Sequence, residues 1–392
     1  MRGKEMADEY TFTFCVPTKL VYGRGKLNDV GTYSLSFGLR KVVIITTAGG
    51  SMRRYGYIDR LVSSLESKGI VSVVLDKVFT NPTTDLVDEL VAVVKEEQPD
   101  GLIAIGGGSA IDAAKAVAMV SYSGGSARDY ILGIRKGSGA LPLIAIPTTH
   151  GTGTEVNRFA VLTEPELKAK LAIVSEYIYP RMSIVDPELT LSLPNTISSA
   201  TVFDAFSHAL EALFAVRSNA VSRLFALEAL RIIASEINKL PEGYSNIDVR
   251  TKLLWASTCA GYAIDQSRTG LLHAIEHSIS AFYPNVHHGV GLALIASAWA
   301  RYTAPAVQDK VREVLNIFKW KVSEDLAQSF VELIDYVKMK LGLNKRLSDF
   351  KISKDDVKVL AEYTVKFMSV LIRNAPRSAD KQAIEDILMN SL

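Results

Sequence analysis

The hydrophobic pattern of this 392-residue chain changes period near residue 190, and that change restricts the folds open to it. Before it, β-branched runs recur: Val42-Val43-Ile44-Ile45, Val71-Ser72-Val73-Val74-Leu75, Leu102-Ile103-Ala104-Ile105 and Leu143-Ile144-Ala145-Ile146. Helical stripes lie between them. Leu86, Val87, Leu90, Val91 and Val94 form one behind Thr84 and Asp85, closed by Gln98-Pro99-Asp100-Gly101. Continuous apolar runs separated by amphipathic helices predict a parallel sheet covered on both faces. After Pro194 the strand signal fades and long helical patterns follow, such as Leu224 to Ile233. The expected architecture is an α/β domain over residues 1–190 and an all-α domain over residues 191–392.

The third apolar run leads into Gly106-Gly107-Gly108-Ser109-Ala110-Ile111-Asp112-Ala113-Ala114-Lys115. Glycines let a backbone approach a pyrophosphate closely, and the helix that follows offers free N–H groups and the positive end of its dipole. The segment is neither Gly-x-Gly-x-x-Gly nor a P-loop, because no Gly-Lys-Ser/Thr follows. A second polar loop, Pro147-Thr148-Thr149-His150-Gly151-Thr152-Gly153-Thr154-Glu155, follows the next run. Two such loops at successive strand ends fit ligand binding at the carboxyl edge of a parallel sheet, with a dinucleotide favoured.

All six histidines fall between positions 150 and 288. Asp204 and His208 stand at i and i+4, and His273 and His277 repeat that spacing. On a helix such pairs share a face, which lets one helix present two ligands to one ion. Imidazole is the commonest metal ligand, so the cluster predicts a metal site in the helical half.

Composition narrows the alternatives. Lys+Arg of 44 against Asp+Glu of 42 leaves no basic excess, which argues against nucleic acid as a partner. Cys15 and Cys259 are far apart, so neither a disulfide framework nor a cysteine-based zinc site is expected. The run from Gly289 to Ala300 is too short to span a bilayer, and Met1-Arg2-Gly3-Lys4-Glu5 does not begin a signal peptide. A soluble, cytoplasmic chain with no membrane partner is expected.

Taken in order, these segments resemble the iron-containing (group III) alcohol dehydrogenase family along nearly the whole chain. The likeness is carried by Asn81-Pro82-Thr83, Gly106 to Ser109 with Asp112 and Lys115, and Pro147-Thr148-Thr149 with Gly151 to Glu155. It continues through Val185-Asp186-Pro187-Glu188-Leu189, Asp204 to His208 with Glu211, His273-Ala274 with His277, and His288-Gly289. The resemblance implies an N-terminal dinucleotide-binding domain, a C-terminal helical metal-binding domain and an active site in the cleft between them. It implies a metal, Fe(II) or Zn(II), held by Asp204, His208, His273 and His288, a ligand set that does not separate the two ions. A nicotinamide cofactor would use Gly107, Gly108, Ser109 and Asp112, with Asn81, Thr148, Thr149, Thr152 and Lys170 lining the remainder. The implied reaction passes hydride between that cofactor and a small alcohol or aldehyde, with His277 the candidate to relay the proton. A homodimer or larger homo-oligomer is also implied.

The chain departs from the family pattern at three places. His287 precedes His288 and is the alternative ligand, although adjacent residues in extended chain point opposite ways. His150 replaces a small residue and is expected either to touch cofactor or substrate or to be a tolerated variation. Ser297 replaces a proline, with an expected effect on the substrate side of the helical domain. Cofactor choice is read at Thr47-Ala48-Gly49-Gly50-Ser51-Met52-Arg53-Arg54. No carboxylate follows until Asp59, and a Gly49-Gly50-Ser51 turn with two arginines suits a 2′-phosphate, so NADP is favoured and NAD is the alternative. The segment resembles the butanol dehydrogenase and aldehyde reductase branch of the family. Two further readings stay open: a glycerol-type polyol dehydrogenase and a dehydroquinate synthase-like lyase. The lyase would need a basic pocket, whereas Phe203, Phe206, Leu271 and Leu272 flank the proposed ligands.

Overall fold

The computed structural model describes residues 9–392. Its strands are Lys19–Tyr22 (β1), Lys41–Thr47 (β2), Val71–Val78 (β3), Gly101–Gly106 (β4), Leu143–Pro147 (β5), Phe159–Glu164 (β6), Ala169–Val174 (β7) and Met182–Val185 (β8). Six of them form a parallel sheet in the order β1-β8-β5-β4-β2-β3, and β6 and β7 pair as an antiparallel hairpin. The four apolar runs read from the sequence are β2, β3, β4 and β5. The runs it did not single out are the short strands β1 and β8, of four residues each, and the hairpin.

Both faces of the sheet are buried, which explains why its central strands are apolar throughout. Val43, Ile45, Leu102, Ala104, Leu143 and Ala145 face one core. Val42, Ile44, Ile103, Ile105, Ile144 and Ile146 face the other. This unit's helices are Val30–Ser36 (α1), Ser51–Arg54 (α2), Tyr57–Glu66 (α3), Thr84–Glu97 (α4), Gly108–Ser123 (α5) and Ala127–Ile131 (α6). The expected helix after Thr83 begins there, capped by the Thr83 hydroxyl, which accepts from Leu86 N at 3.2 Å. Helix α5 is buried without a break from Ala110 to Val120, with the sheet on one side and the hairpin on another.

After β8 the chain is helical: Asn195–Phe214 (α7), Ala220–Glu236 (α8), Ile247–Ser267 (α9), Leu271–Phe282 (α10), His288–Thr303 (α11), Gln308–Ile317 (α12), Leu326–Lys340 (α13), Lys354–Phe367 (α14), Ser369–Asn374 (α15) and Lys381–Met389 (α16). Helix α7 is the central element, buried from Ser198 to Phe214 and packed on α8, α9 and α11. Two compact units result. One comprises Cys15–Thr149 and Gly153–Leu193; the other comprises Pro194–Leu392 with His150–Thr152 and the described residues up to Phe14. The three-residue segment joins the helical unit because His150 bonds to side chains of α7 and α9.

Candidate active site

In the α/β unit, four neighbouring strands deliver the loops read as cofactor-binding. β2 ends at Thr47 before Gly49-Gly50-Ser51, β3 before Asn81, β4 before Gly107-Gly108-Ser109, and β5 before Thr148-Thr149. All leave the same, carboxyl edge, and the strand order reverses between β2 and β4, the position where such sheets bind ligands. Gly106 makes that switch point passable. Its φ is +152°, and a Cβ there would stand 2.7 Å from Thr47 Oγ1 and 2.9 Å from Ala110 Cβ. Gly107 caps α5, so the first free N–H groups of a 16-residue helix open onto this edge. Asn81 adopts φ 56°, and its buried Nδ2 has no hydrogen-bond partner, which leaves a donor at the same edge.

Two residues of the glycine-loop segment make their polar contacts within the protein. Asp112 accepts from Thr154 Oγ1 at 2.5 Å and from Val161 N at 3.0 Å, so both carboxylate oxygens tie α5 to the following loop and hairpin. Lys115 is wholly buried, its ammonium donating to oxygens of Thr154, Asn157 and Phe159. Burial pushes the Asp112 carboxyl up, opposed by Lys115, Thr154, Val161 and Lys170. Asp112 and Lys115 thus tie α5 to the following loop and hairpin. Lys170 is buried on β7, while Thr148 is buried and held by its N–H to Gly106 O at 2.9 Å.

The helical unit gathers a carboxylate and three imidazoles. Asp204 Oδ1 lies 3.6 Å from His273 Nε2, 3.6 Å from His288 Nε2 and 3.5 Å from His208 Nδ1. Ligating atoms of Asp204, His273 and His288 fall within 4.8 Å of one another. His208 flanks that set, its ring stacked on His273 with centroids 4.5 Å apart. Asp204 Oδ1 and His273 Nε2 are buried and have no hydrogen-bond partner. Separations of 3.6 Å are too long for hydrogen bonds but close to the ~3.4 Å between ligand atoms around a tetrahedral cation.

His273 and His288 are oriented through their other nitrogen, whereas His208 uses the same Nδ1 that faces Asp204. His273 Nδ1 donates to Glu211 Oε2 at 2.5 Å, and Glu211 Oε1 accepts from Leu272 N at 2.7 Å. His288 Nδ1 contacts Glu276 Oε2, and His208 Nδ1 donates to the Gly151 carbonyl at 3.3 Å. A carboxylate behind the ring, as at His273 and His288, directs the opposite nitrogen toward a cation, the usual support of histidine metal ligands. In the sequence Glu211 stands out only as part of a motif, and Glu276 carries no signal. Glu211 carries its own signal: with Asp204 and His208 it lies at i, i+4 and i+7, one stripe of α7.

The charges follow this geometry. Burial opposes ionisation of Asp204, yet the three histidines outweigh it and hold the carboxyl well below the usual range. Burial drives His208 down to about 4, against the pull of Asp204. Burial lowers His273, yet the Glu211 hydrogen bond and the negative charges of Glu211 and Asp204 outweigh it and raise the group to about 9.

The remaining sequence-singled residues separate cleanly. His288 joins the cluster, whereas His287 precedes it as the extended cap of α11 and stands outside. His277 is buried beside the cluster, its ring 5.8 Å from that of His288, and Glu276, His277 and His288 form a second close group. Thr152 is half-buried two residues after His150. His150 does not reach outward as a contact for cofactor or substrate. Its side chain is fully buried, with Nδ1 3.2 Å from Thr201 Oγ1 and Nε2 3.0 Å from Arg250 Nη1. Burial first, then Arg250, lowers His150 to about 3. Ser297 is not on the ligand side of α11 either. It lies nine residues after His288, which at 100° per residue is the opposite face, and it donates to Asp335 of α13 at 2.6 Å.

Glycine-rich loops at the carboxyl edge of a parallel sheet in one unit and a buried carboxylate–histidine cluster in the other are the equipment expected of a metal-dependent dinucleotide oxidoreductase. Comparisons with known proteins narrow that class. Residues 17–187 match the model for iron-containing alcohol dehydrogenase, and residues 198–392 match that for the C-terminal part of the same family. The long-chain primary alcohol dehydrogenase AdhA of Thermoanaerobacter ethanolicus is 34% identical over 371 residues, 93% of each chain. The structure of NADH-dependent butanol dehydrogenase A from Thermotoga maritima aligns with TM-score 0.90 at 31% identity, covering 97% of this chain and 98% of that one. An archaeal halo-thermophilic alcohol dehydrogenase from a Red Sea brine pool aligns with TM-score 0.91 at 27% identity, covering 98% and 99%. The chain belongs to the iron-containing alcohol dehydrogenase family. It is an NAD(P)-dependent, metal-dependent oxidoreductase acting between an alcohol and an aldehyde. Both family models describe alcohol dehydrogenases, which sets the lyase reading aside, and the polyol reading gains nothing over the alcohol one.

Proposed function

We propose that this enzyme reduces small aldehydes with NADPH, and oxidises the corresponding alcohols, at a cation held by Asp204, His208, His273 and His288. The observation that carries the metal assignment is the pair of buried, unpartnered atoms, Asp204 Oδ1 and His273 Nε2, facing each other at 3.6 Å. Unmet polar atoms in a buried site are costly, and a divalent cation satisfies both at once. One carboxylate with three imidazoles suits Fe(II), the ion of the family name, and also Zn(II). A cation there supplies Lewis acidity toward a carbonyl or alcohol oxygen.

This chain's own residues do the rest. Glu211 and Glu276 keep the hydrogen of His273 and His288 on Nδ1, leaving each Nε2 as the ligating nitrogen. Asp204 provides the negative charge that offsets the cation. His277, buried one turn after His273, is the relay for the substrate-oxygen proton. In the α/β unit Gly107, Gly108 and Ser109 take the pyrophosphate at the α5 N-terminus. Asn81, Thr148, Thr149, Thr152 and Lys170 complete the cofactor contacts, and Asp112 supports them from within the fold.

The choice of NADP rests on the turn after β2. Gly49 and Gly50 both have positive φ, 84° and 72°, and present Ser51 at the sheet edge. Arg53 is held by Asp76 at 3.3 Å, so the exposed Arg54 is the cation offered to a 2′-phosphate; NAD is the alternative. Among the described residues no helix is long and apolar enough to cross a membrane. By likeness to its family the chain is read as cytoplasmic and as a homodimer or larger homo-oligomer.

The test is a titration of metal-stripped protein with Fe(II) or Zn(II), following oxidation of NADPH and NADH over a panel of aldehydes. Metal-dependent turnover favouring NADPH supports the whole proposal. Turnover with NADH alone overturns the cofactor choice, and turnover without any metal overturns the ligand assignment.

A further inference from the structure

His150 carries a second device within the helical unit. Its ring is fully buried and both nitrogens are engaged. Arginine only donates, so Nε2 accepts from Arg250 Nη1 at 3.0 Å. The single ring hydrogen therefore sits on Nδ1 and is given to Thr201 Oγ1 at 3.2 Å. Thr201 passes its own hydrogen to Ser198 O at 3.0 Å, so one tautomer and one ring orientation satisfy the network. Arg250 is itself pinned: Nε donates to Tyr244 O at 2.7 Å, Nη1 to Ser198 Oγ at 2.6 Å, and its guanidinium packs 4.9 Å from the Tyr244 ring centroid. The imidazole thus bolts its own short backbone segment to α7 and α9.

The next residue shows what the bolt holds. The Gly151 carbonyl accepts from His208 Nδ1 at 3.3 Å. Gly151 lies flush against α7, since a Cβ there would stand 2.9 Å from Thr201 Cβ and 3.0 Å from Asp204 Oδ2. His273 and His288 have carboxylates behind their rings, whereas His208 has this backbone carbonyl. A carbonyl orients a ring only as firmly as its own segment is fixed. We infer that His150 is a positioning residue for His208, anchoring Gly151 so that its carbonyl holds the His208 ring in place beside Asp204. The inference rests on the metal reading above.

The experiment compares His150→Ala and His150→Gln in two backgrounds, wild type and His208→Ala, by Co(II) affinity from chelator competition. The Co(II) visible absorption band reports the ligand geometry. Removing such a support costs about 10- to 100-fold in metal affinity. His150→Ala is expected to show that loss and a shifted Co(II) band with His208 present, and less than a twofold further loss when His208 is absent. His150→Gln keeps an acceptor for Arg250 and is expected to recover most of the affinity. Should His150→Ala fail to fold, His150→Gln carries the same two-background comparison, with a smaller loss confined to the wild-type background. Equal losses in both backgrounds would make His150 a general structural residue and overturn the inference. So would wild-type Co(II) affinity in the His150 variants. Wild-type protein that takes up no Co(II) overturns the metal reading and this inference together.

Discussion

On the proposed function, the two units meet a similar demand, holding a charged ligand at a defined place, by opposite means. The α/β unit works with backbone: Gly106 to Ser109 bring N–H groups to the sheet edge, and the neighbouring Asp112 and Lys115 are turned inward to brace the loop. The helical unit works with side chains: a buried carboxylate among three histidines, each backed by Glu211, Glu276 or the Gly151 carbonyl. Backbone recognition needs no charged side chain at the contact itself and depends on steric room, so a methyl group can disturb it. Side-chain recognition concentrates charge where water is absent, so every member needs a partner and single deletions are severe.

The sharpest way to break that comparison is Asp204→Ala. Losing the central carboxylate is expected to abolish bound metal in elemental analysis and to lower kcat/KM by about 10³-fold or more, several kcal/mol at about 1.4 per decade. Retention of stoichiometric metal would remove Asp204 from the centre. Next comes Glu211→Gln. The amide can still accept from Leu272 N but turns a donor toward His273 Nδ1, so metal affinity is expected to fall about 10- to 100-fold, read by chelator competition.

The metal-free protein should show a bell-shaped stability profile of about 1–3 kcal/mol between pH 4 and 9 from these two groups. His208 is depressed to about 4 when folded, so unfolding takes up protons below pH 6.5 and stability rises from pH 4 to 6.5. His273 is raised to about 9, so its contribution is full below pH 6.5 and is lost as pH rises to 9. Denaturant unfolding across that range checks both arms, and saturating metal should flatten them, because bound nitrogens no longer titrate.

Gly106→Ala tests the backbone unit. The added methyl meets Thr47 Oγ1 and Ala110 Cβ, so a loss of about 1–3 kcal/mol and weaker cofactor binding are expected, with metal content unchanged. Loss of metal in that variant would show that the two devices are not independent. The smallest effect is expected for Arg54→Ala, about fivefold in KM for NADPH, the ~1 kcal/mol of an exposed ion pair, with NADH kinetics unmoved. An equal change for both cofactors would remove Arg54 from the 2′-phosphate assignment.

Much of this was legible in the chain because it depends on local period and spacing. Strands β2 to β5 are buried on both faces, so their residues had to be continuously apolar. The Asp204–His208 pair is visible because i and i+4 share a helix face whatever the rest of the fold does. Strands β1 and β8 are not legible because four residues carry too little pattern. The β6–β7 hairpin was missed although β6 alternates buried and partly exposed residues, because a short alternating run competes poorly with four solid apolar ones.

By itself the sequence determined the two kinds of layer, the glycine loops at strand ends, and the identities of the residues able to bind a cation, because periodicity and residue chemistry act over a few positions. Only the tertiary structure decided which atoms those residues present. It turned Asp112 inward, took His288 over His287, put Glu211 and Glu276 behind the ligands, and closed the His150–Arg250 contact across 100 residues. Hydrogen-bond direction and burial depend on what packs against a side chain, and residues distant in sequence supply that packing.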